Sequence, residues 1–158
     1  MGLLVSVVLI ASIPERDLNV RLRAQSTPEA IRLMADSGDA AAQRNLGLMY
    51  AGGRGVEQDD KEAARWLLLA AEQGEPRAQA SLGFAYALGK GVSLDYAEAY
   101  KWLDLAVGRA SVENRRLFQR NREVVASEMT TAELQDARCR VRAWSDSQQG
   151  GLRSSVRD

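Results

Sequence analysis

Along residues 42–50 the apolar side chains Ala42, Leu46, Met49 and Tyr50 fall at i, i+4, i+7 and i+8. That spacing lays one stripe down one face of a helix. The pattern breaks at Gly52-Gly53-Arg54-Gly55, where glycine accepts the backbone turn that ends a helix. Val56 offers the loop an apolar anchor. Asp59 then stands where a short carboxylate can accept the unbonded N–H groups of a new helix. Ala63, Trp66, Leu67 and Ala70 form the next stripe, closed by Gly74, and Pro76 sits in the first turn of the helix that follows. The whole order returns 36 residues later as Ala78, Leu82 and Tyr86, then Gly89-Lys90-Gly91 and Val92, then Asp95, then Ala99, Trp102, Leu103 and Ala106. Sixteen identities link the two copies, among them Gln43/Gln79, Gly47/Gly83, Ala51/Ala87, Glu62/Glu98 and Leu69/Leu105. A fixed period of this length means stacked copies of one helix pair. Gly47 and Gly83 lie inside helices, where glycine costs about 1 kcal/mol relative to alanine. Their recurrence predicts close approach of the paired helix.

Both ends carry incomplete units. Ser26-Thr27-Pro28-Glu29 has the composition of a helix start, and the helix runs from Pro28 to Ser37 and stops at Gly38, 36 residues before Gly74. Leu33 and Ala35 align with Leu69 and Ala71, so this is the second helix of a leading partial repeat. Ala30 holds the tryptophan position, which suits an end unit with less to bury. Beyond Ala106 the repeat decays. Ser111–Ser127 is an arginine-rich helical pattern with Leu117, Phe118, Val124 and Val125. Met129–Leu134 opens another helix, capped by Thr130 or Thr131, and Leu134, Ala137, Val141 and Trp144 recur at i, i+3, i+7 and i+10. This pair has the place of a terminal cap, which a solenoid needs to shield its last apolar face. The expected organisation is an apolar N-terminal segment and connector at 1–25, then a helical repeat domain at 26–144. The domain divides into a partial repeat at 26–38, repeat one at 42–77, repeat two at 78–110 and capping helices at 111–144. A disordered tail of Ser, Gln, Gly and charge follows at 145–158.

The motif LGxxY, GxGV, Asp, Ala, Trp, AA, read from AAQRNLGLMYAGGRGVEQDDKEAARWLLLAAEQGEPRAQ and AQASLGFAYALGKGVSLDYAEAYKWLDLAV, resembles the Sel-one-like repeat family, relatives of the tetratricopeptide repeats. The resemblance covers the two good copies and departs at their edge, where Val107 replaces the second alanine of the AA pair and Ala110 the glycine expected from Gly74. It implies an all-α fold, a right-handed α/α solenoid of antiparallel helix pairs with a C-terminal capping helix pair. It also implies a protein-binding scaffold, often bacterial.

Composition narrows the chemistry. Lys plus Arg equals Asp plus Glu at 21 each, so no overall charge draws the chain to nucleic acid. There is no histidine, which removes the commonest general base and metal ligand. The GxGxV loops are no phosphate cradle: the Lys-Ser/Thr pair of a P-loop is missing, and a helix rather than a strand runs into the glycines. Cys139, the single cysteine, forms no internal disulfide. It reads as a plain helix residue, with a reactive thiol beside arginines as the alternative. No catalytic residue, metal or cofactor is expected. Cysteine-rich relatives have been associated with binding or hydrolysing cell-wall-like and β-lactam ligands, but this chain has no Ser-x-x-Lys nucleophile and no cysteine staples. The expected function is a non-catalytic interaction scaffold or adaptor.

The first helix of each repeat leaves a face opposite its core stripe. On it stand Arg44, Asn45, Leu48 and Ala51 in copy one, and Ala80, Ser81, Phe84 and Ala87 in copy two. Leu48 and Phe84 are large and apolar where their own repeat does not demand it. With Arg44, Asn45 and Ser81 they form the candidate surface for a peptide or helix of a partner protein. The competing reading packs them against neighbouring helices or the N-terminal segment. Gly2–Ile13 is apolar, too short to span a bilayer, which takes about 20 residues, and lacks a preceding Lys or Arg. It reads as a short or atypical export signal, or as a strand or helix covering the solenoid's first edge. Export would make the chain a periplasmic regulator of an envelope complex. Membrane contact is expected only if this segment is an uncleaved anchor.

Overall fold

The computed structural model describes residues 27–154. The apolar run Gly2–Ile13, the connector to Gln25 and residues 155–158 lie outside the described residues, and so do the export and anchor readings. The described residues form seven helices and no strand: α1 (Pro28–Asp36), α2 (Ala40–Gly52), α3 (Asp60–Glu72), α4 (Pro76–Leu88), α5 (Tyr96–Arg109), α6 (Val112–Ser127) and α7 (Thr131–Ser154). Each of α1 to α5 packs on the next helix in the chain, and α7 returns to α5. The result is a solenoid of helix pairs, α2–α3 and α4–α5, with α1 before them and α6–α7 after them.

The helix boundaries follow from capping chemistry. Asp39, Asp59, Glu75 and Asp95 each accept backbone N–H groups of the helix they precede, at Ala42, at Lys61 and Glu62, at Ala78 and at Glu98 respectively. Thr27 caps α1 through the Ala30 N–H. Thr130 and Glu133 exchange bonds at the start of α7: Glu133 N–H donates to Thr130 Oγ1 at 3.3 Å and Thr130 N–H donates to Glu133 Oε2 at 2.7 Å. This reciprocal box satisfies two orphan donors at once. α2 and α4 end in left-handed Gly53 and Gly89. Gly91 has a second reason to be glycine. A Cβ there would collide with the backbone carbonyl of Asp60, at the start of the preceding unit's second helix. The alanine that replaces the expected glycine at 110 has φ −66° and ψ 143°. The chain leaves α5 extended, so no left-handed residue is needed.

The core repeats as the sequence does. Trp66 shares its cluster with Ala35, Ala42 and Leu46, flanked by Ile31, Tyr50 and Leu69. Trp102 shares its own with Ala71, Ala78 and Leu82, flanked by Leu105 and Tyr86 and joined by Leu67. Each residue of the first set lies 36 positions before its counterpart in the second. The correspondence extends to the indole N–H groups, both buried without a hydrogen-bond partner. The helical glycines are close contacts: a Cβ on Gly47 would stand 2.9 Å from Leu67 Cγ, and one on Gly83 would stand 2.8 Å from Leu103 Cγ.

Two core residues escape a hydrophobic reading. Gln43 and Gln79 are buried. Gln43 donates its side-chain amide to the Ala35 carbonyl at 3.2 Å, and Gln79 donates to the Ala71 carbonyl at 3.1 Å. Each ties the first helix of a repeat to the end of the helix before it, as a second donor to a carbonyl that also accepts a backbone N–H, from Gly38 at 3.0 Å and from Gly74 at 2.9 Å. One period on, the Arg115 guanidinium donates to the Ala110 carbonyl at 3.2 Å. Together with buried Phe118 at the place of Leu46 and Leu82, this makes α6 the first helix of a degenerate third unit.

The C-terminal pair closes the stack. Ala137 is fully buried in the cluster around Tyr100 and Leu103, with Leu134 and Val141 against it. Trp144 meets Trp102 edge to face at 6.1 Å between ring centroids, at 67°. Arg140 clamps α7 to α5, donating to Glu98 Oε1 at 3.0 Å and to Asp136 Oδ2 at 2.8 Å. The Glu98 bond is the main reason its pKa rises. The tail differs from expectation. Composition ended the ordered domain at Trp144 and made 145–158 a disordered tail, but α7 continues to Ser154. Ser145 and Gln148 stand one and two turns beyond Val141. With Val141 and Trp144 they line a hollow against Asp104, Leu105, Gly108 and Arg109 of α5. The helix past Trp144 therefore faces α5 across this hollow.

Candidate functional site

The outward face of the first helices is built by default. Once Ala42, Leu46 and Gly47 of α2, and Ala78, Leu82 and Gly83 of α4, turn inward, the residues between them must turn out. Leu48 and Ser81 are half-buried there and Phe84 is 41% exposed. These three line one groove of about 230 Å³. Its walls are Leu48 and Ala51 of α2 and Ser81, Phe84, Ala85 and Leu88 of α4. Its floor is Ala63, Ala64 and Leu67 of α3, and Asp60 and Lys90 stand in its lining with opposite charges. Leu88 is 62% exposed, so the groove opens onto a wider apolar rim.

Arg44 and Asn45, named with those three from sequence, do not line the groove. The Arg44 guanidinium donates to Asn45 Oδ1 at 2.9 Å and to Glu75 Oε1 at 3.4 Å. Glu75 itself caps α4 through the Ala78 N–H at 2.5 Å. This chain of bonds links α2 to the start of α4 beside the groove. Arg44 and Asn45 thus support the walls from one side.

Leu88 and the floor were missed by sequence reasoning. Leu88 aligns with Gly52, so the periodic comparison gave no reason to single it out. The floor residues were read as core, which they also are. One signal was available: position 64 is alanine while its counterpart, position 100, is tyrosine.

A further hollow with charged walls is structural. It lies among Leu94, Asp95, Tyr96, Ala97, Ala132, Glu133, Asp136 and Arg140, with a volume of about 480 Å³. Asp95 caps α5, Glu133 caps α7, and Asp136 pairs with Arg140. Glu133 is held below the usual glutamate pKa by its bonds from Thr130. Among the described residues no group of three or more His, Cys, Asp or Glu side chains is placed to hold a metal. No described helix is long and apolar enough to cross a membrane.

The Sel1 repeat family profile matches residues 40–75 and 76–107. Among solved structures the chain is similar to c5321, a protective antigen present in uropathogenic Escherichia coli strains that displays an SLR fold. The two are 32% identical with a TM-score of 0.72, over 90% of this chain and 31% of that one. A Sel1 repeat protein from Oxalobacter formigenes is also 32% identical, over 66% of this chain and 40% of that one, with a TM-score of 0.49. The chain thus spans less than half the length of either structure. No curated protein matches it. The two profile matches coincide with the α2–α3 and α4–α5 pairs, on an all-helical solenoid that keeps the 36-residue register from α1 to α6, and on these grounds the chain is a member of the Sel1 repeat family.

Proposed function

We propose that this chain is a non-catalytic protein-interaction scaffold, and that a peptide or a single helix of a partner protein lies in the groove between α2 and α4. The observation that carries the reading is the convergence of Leu48, Ser81 and Phe84 from two helices onto one groove whose rim, Phe84 and Leu88, stays exposed. An apolar cleft with few polar groups is the usual place for an amphipathic segment to dock. The only hydroxyl in the lining is that of Ser81, and no acid or base is bonded to it among the described residues, so the lining offers binding surface rather than an activated nucleophile.

The test uses peptides selected from a random display library on the full chain. Leu48→Ala and Phe84→Ala should each weaken the selected peptides about tenfold or more, as truncation of a central apolar anchor does, with helix content and unfolding midpoint retained. Unchanged affinity in both folded variants removes the groove from consideration. The compartment follows separately from Gly2–Ile13. With that run acting as an export signal the groove works in the periplasm, and mature protein lacking it would carry the signal reading. Cytosolic protein with Met1 intact would end it.

A further inference from the structure

The second repeat fills with a ring the floor position that the first leaves to a methyl group. Shifting six of the eleven lining residues by 36 turns Ala51, Asp60, Ala63, Ala64, Leu67 and Lys90 into Ala87, Tyr96, Ala99, Tyr100, Leu103 and Ala126, while the other five become Phe84, Leu117, Arg120, Asn121 and Val124, all but Asn121 exposed. Those six shifted residues all belong to a single packed cluster, with Ala99, Tyr100 and Leu103 buried in it and Ala87, Tyr96 and Ala126 against it. Tyr100 supplies the bulk: it is 7% exposed, and its ring lies beneath Arg122. Ala64, at the same place on α3, has only a methyl group, 4% exposed in the lining of the groove. At both places the helix pair rests on the same glycine contact, Gly47 against Leu67 and Gly83 against Leu103. Volume agrees with a side chain rather than a small-molecule ligand. About 230 Å³ falls below the ~300–1,000 Å³ of typical ligand pockets.

On the reading that the groove receives a partner segment, we infer that the space above Ala64 is a socket for one aromatic side chain, tyrosine or phenylalanine, presented by that segment. The partner's ring takes the place that Tyr100 fills internally one repeat later. Ala63, Ala64 and Leu67 meet its face, Leu48 and Phe84 close on its sides, and the hydroxyl of a tyrosine has Ser81 within the same lining. Aromatic anchors bury about 150–250 Å² each and suit a single apolar pocket with a polar edge.

The experiment titrates the full chain with p-cresol, the side-chain analogue of tyrosine, and follows leucine methyl resonances by NMR. Saturable shifts are expected at Leu48, Leu67 and Leu88 and not at Leu103, whose neighbouring place is occupied. Ala64→Tyr fills the socket with the side chain its own sister repeat tolerates, and should weaken p-cresol at least about tenfold. Ala64→Leu is the milder filler and should weaken it too if the tyrosine variant does not fold. Peptides selected on the wild-type chain should share an aromatic residue and lose affinity in the same variants. Absence of p-cresol shifts at the groove, or shifts that persist in a folded filled variant, overturns the socket. Peptides that lack an aromatic residue, depend on Leu48 and Phe84 and ignore Ala64→Tyr also overturn it, while leaving the groove itself in place. Peptides indifferent to all of these positions overturn both.

Discussion

The close approach of Gly47 to α3 makes a prediction whose sign is set by two opposing effects. Gly47→Ala places a methyl group 2.9 Å from Leu67 Cγ and 3.1 Å from the Ala63 backbone oxygen. Carbon atoms rest about 3.5–4.0 Å apart, so the new atom overlaps a branched carbon and a main-chain carbonyl. Neither is the free end of a flexible side chain, and α2 must move off α3. Overpacking of this kind costs about 1–3 kcal/mol. Alanine returns about 1 kcal/mol of helix propensity over glycine. The net expectation is a loss of about 1 kcal/mol, or ~2–4 °C in Tm for a domain of this size. Gly108 is the control. It lies in the last turn of α5, and a Cβ there meets nothing within 4 Å, so Gly108→Ala should stabilise by about 0.5 kcal/mol. Urea unfolding followed by tryptophan fluorescence and helix circular dichroism gives both values, provided the slope m is unchanged. Removing the obstacle should remove most of the penalty, so Gly47→Ala should cost little in a Leu67→Ala background, a coupling that a double-mutant cycle reads directly. If Gly47→Ala and Gly108→Ala stabilise alike, close helix approach is not why glycine stands at 47 and 83.

Gln79→Leu keeps the bulk and removes the inter-helix donor to the Ala71 carbonyl, which retains the Gly74 N–H, together with a side-chain oxygen buried without a partner, and should cost no more than about 1 kcal/mol in the same urea assay. Tyr100→Ala removes the ring that fills the floor position in the second repeat, and by analogy with other aromatic truncations should cost about 3–5 kcal/mol, with p-cresol raising its Tm. Asp59→Ala removes the cap that accepts from Lys61 and Glu62 N–H at 2.9 and 3.1 Å, and should cost about 1 kcal/mol. Glu133 has a lowered pKa because the Thr130 N–H and hydroxyl bond its carboxylate. Its support of α7 is therefore full above the unfolded glutamate value of about 4.3 and fades as pH falls through the lower folded value. Glu133→Gln should flatten that acid limb in α7 helicity.

What was legible in the sequence is what the period dictates. Trp66 and Trp102 could be placed in equivalent surroundings because every neighbour they need recurs at the same interval. Asp59 and Asp95 could be assigned as caps because a short acid before an apolar stripe has one obvious use. Gln43 and Gln79 were visible as a matched pair, but their burial was not, because amphipathic patterning assigns polar residues to solvent and says nothing of the carbonyls they bond at a neighbouring helix end. Arg44 was read as a surface charge for the same reason: its partner, Glu75, belongs to a different helix. The extension of α7 past Trp144 escaped because Ser145 and Gln148 carry no apolar signal, although they line the same hollow as Val141. The groove escaped in part because it arises from a difference between repeats, Ala64 against Tyr100, whereas the period draws attention to what they share.

That difference also explains why the groove sits where it does. Leu33, Leu69 and Leu105 occupy one register position in three successive second helices. Leu33 is 73% exposed, Leu69 is half-buried and Leu105 is 8% exposed. Exposure falls toward the C-terminal end because Leu105 is covered by Val141 and Trp144 of α7. That end of the stack is committed to holding the cap. Tyr100 joins the cluster that contains Phe118, Val125 and Ala137 of α6 and α7, so an alanine there would loosen the attachment of the closing unit. The α2–α4 junction carries no such duty: its floor is held by glycine contacts, and the Arg44–Glu75 link lies beside it. A cavity can persist at this junction at modest cost, and it is here that the repeat is free to exchange internal packing for packing supplied by another molecule.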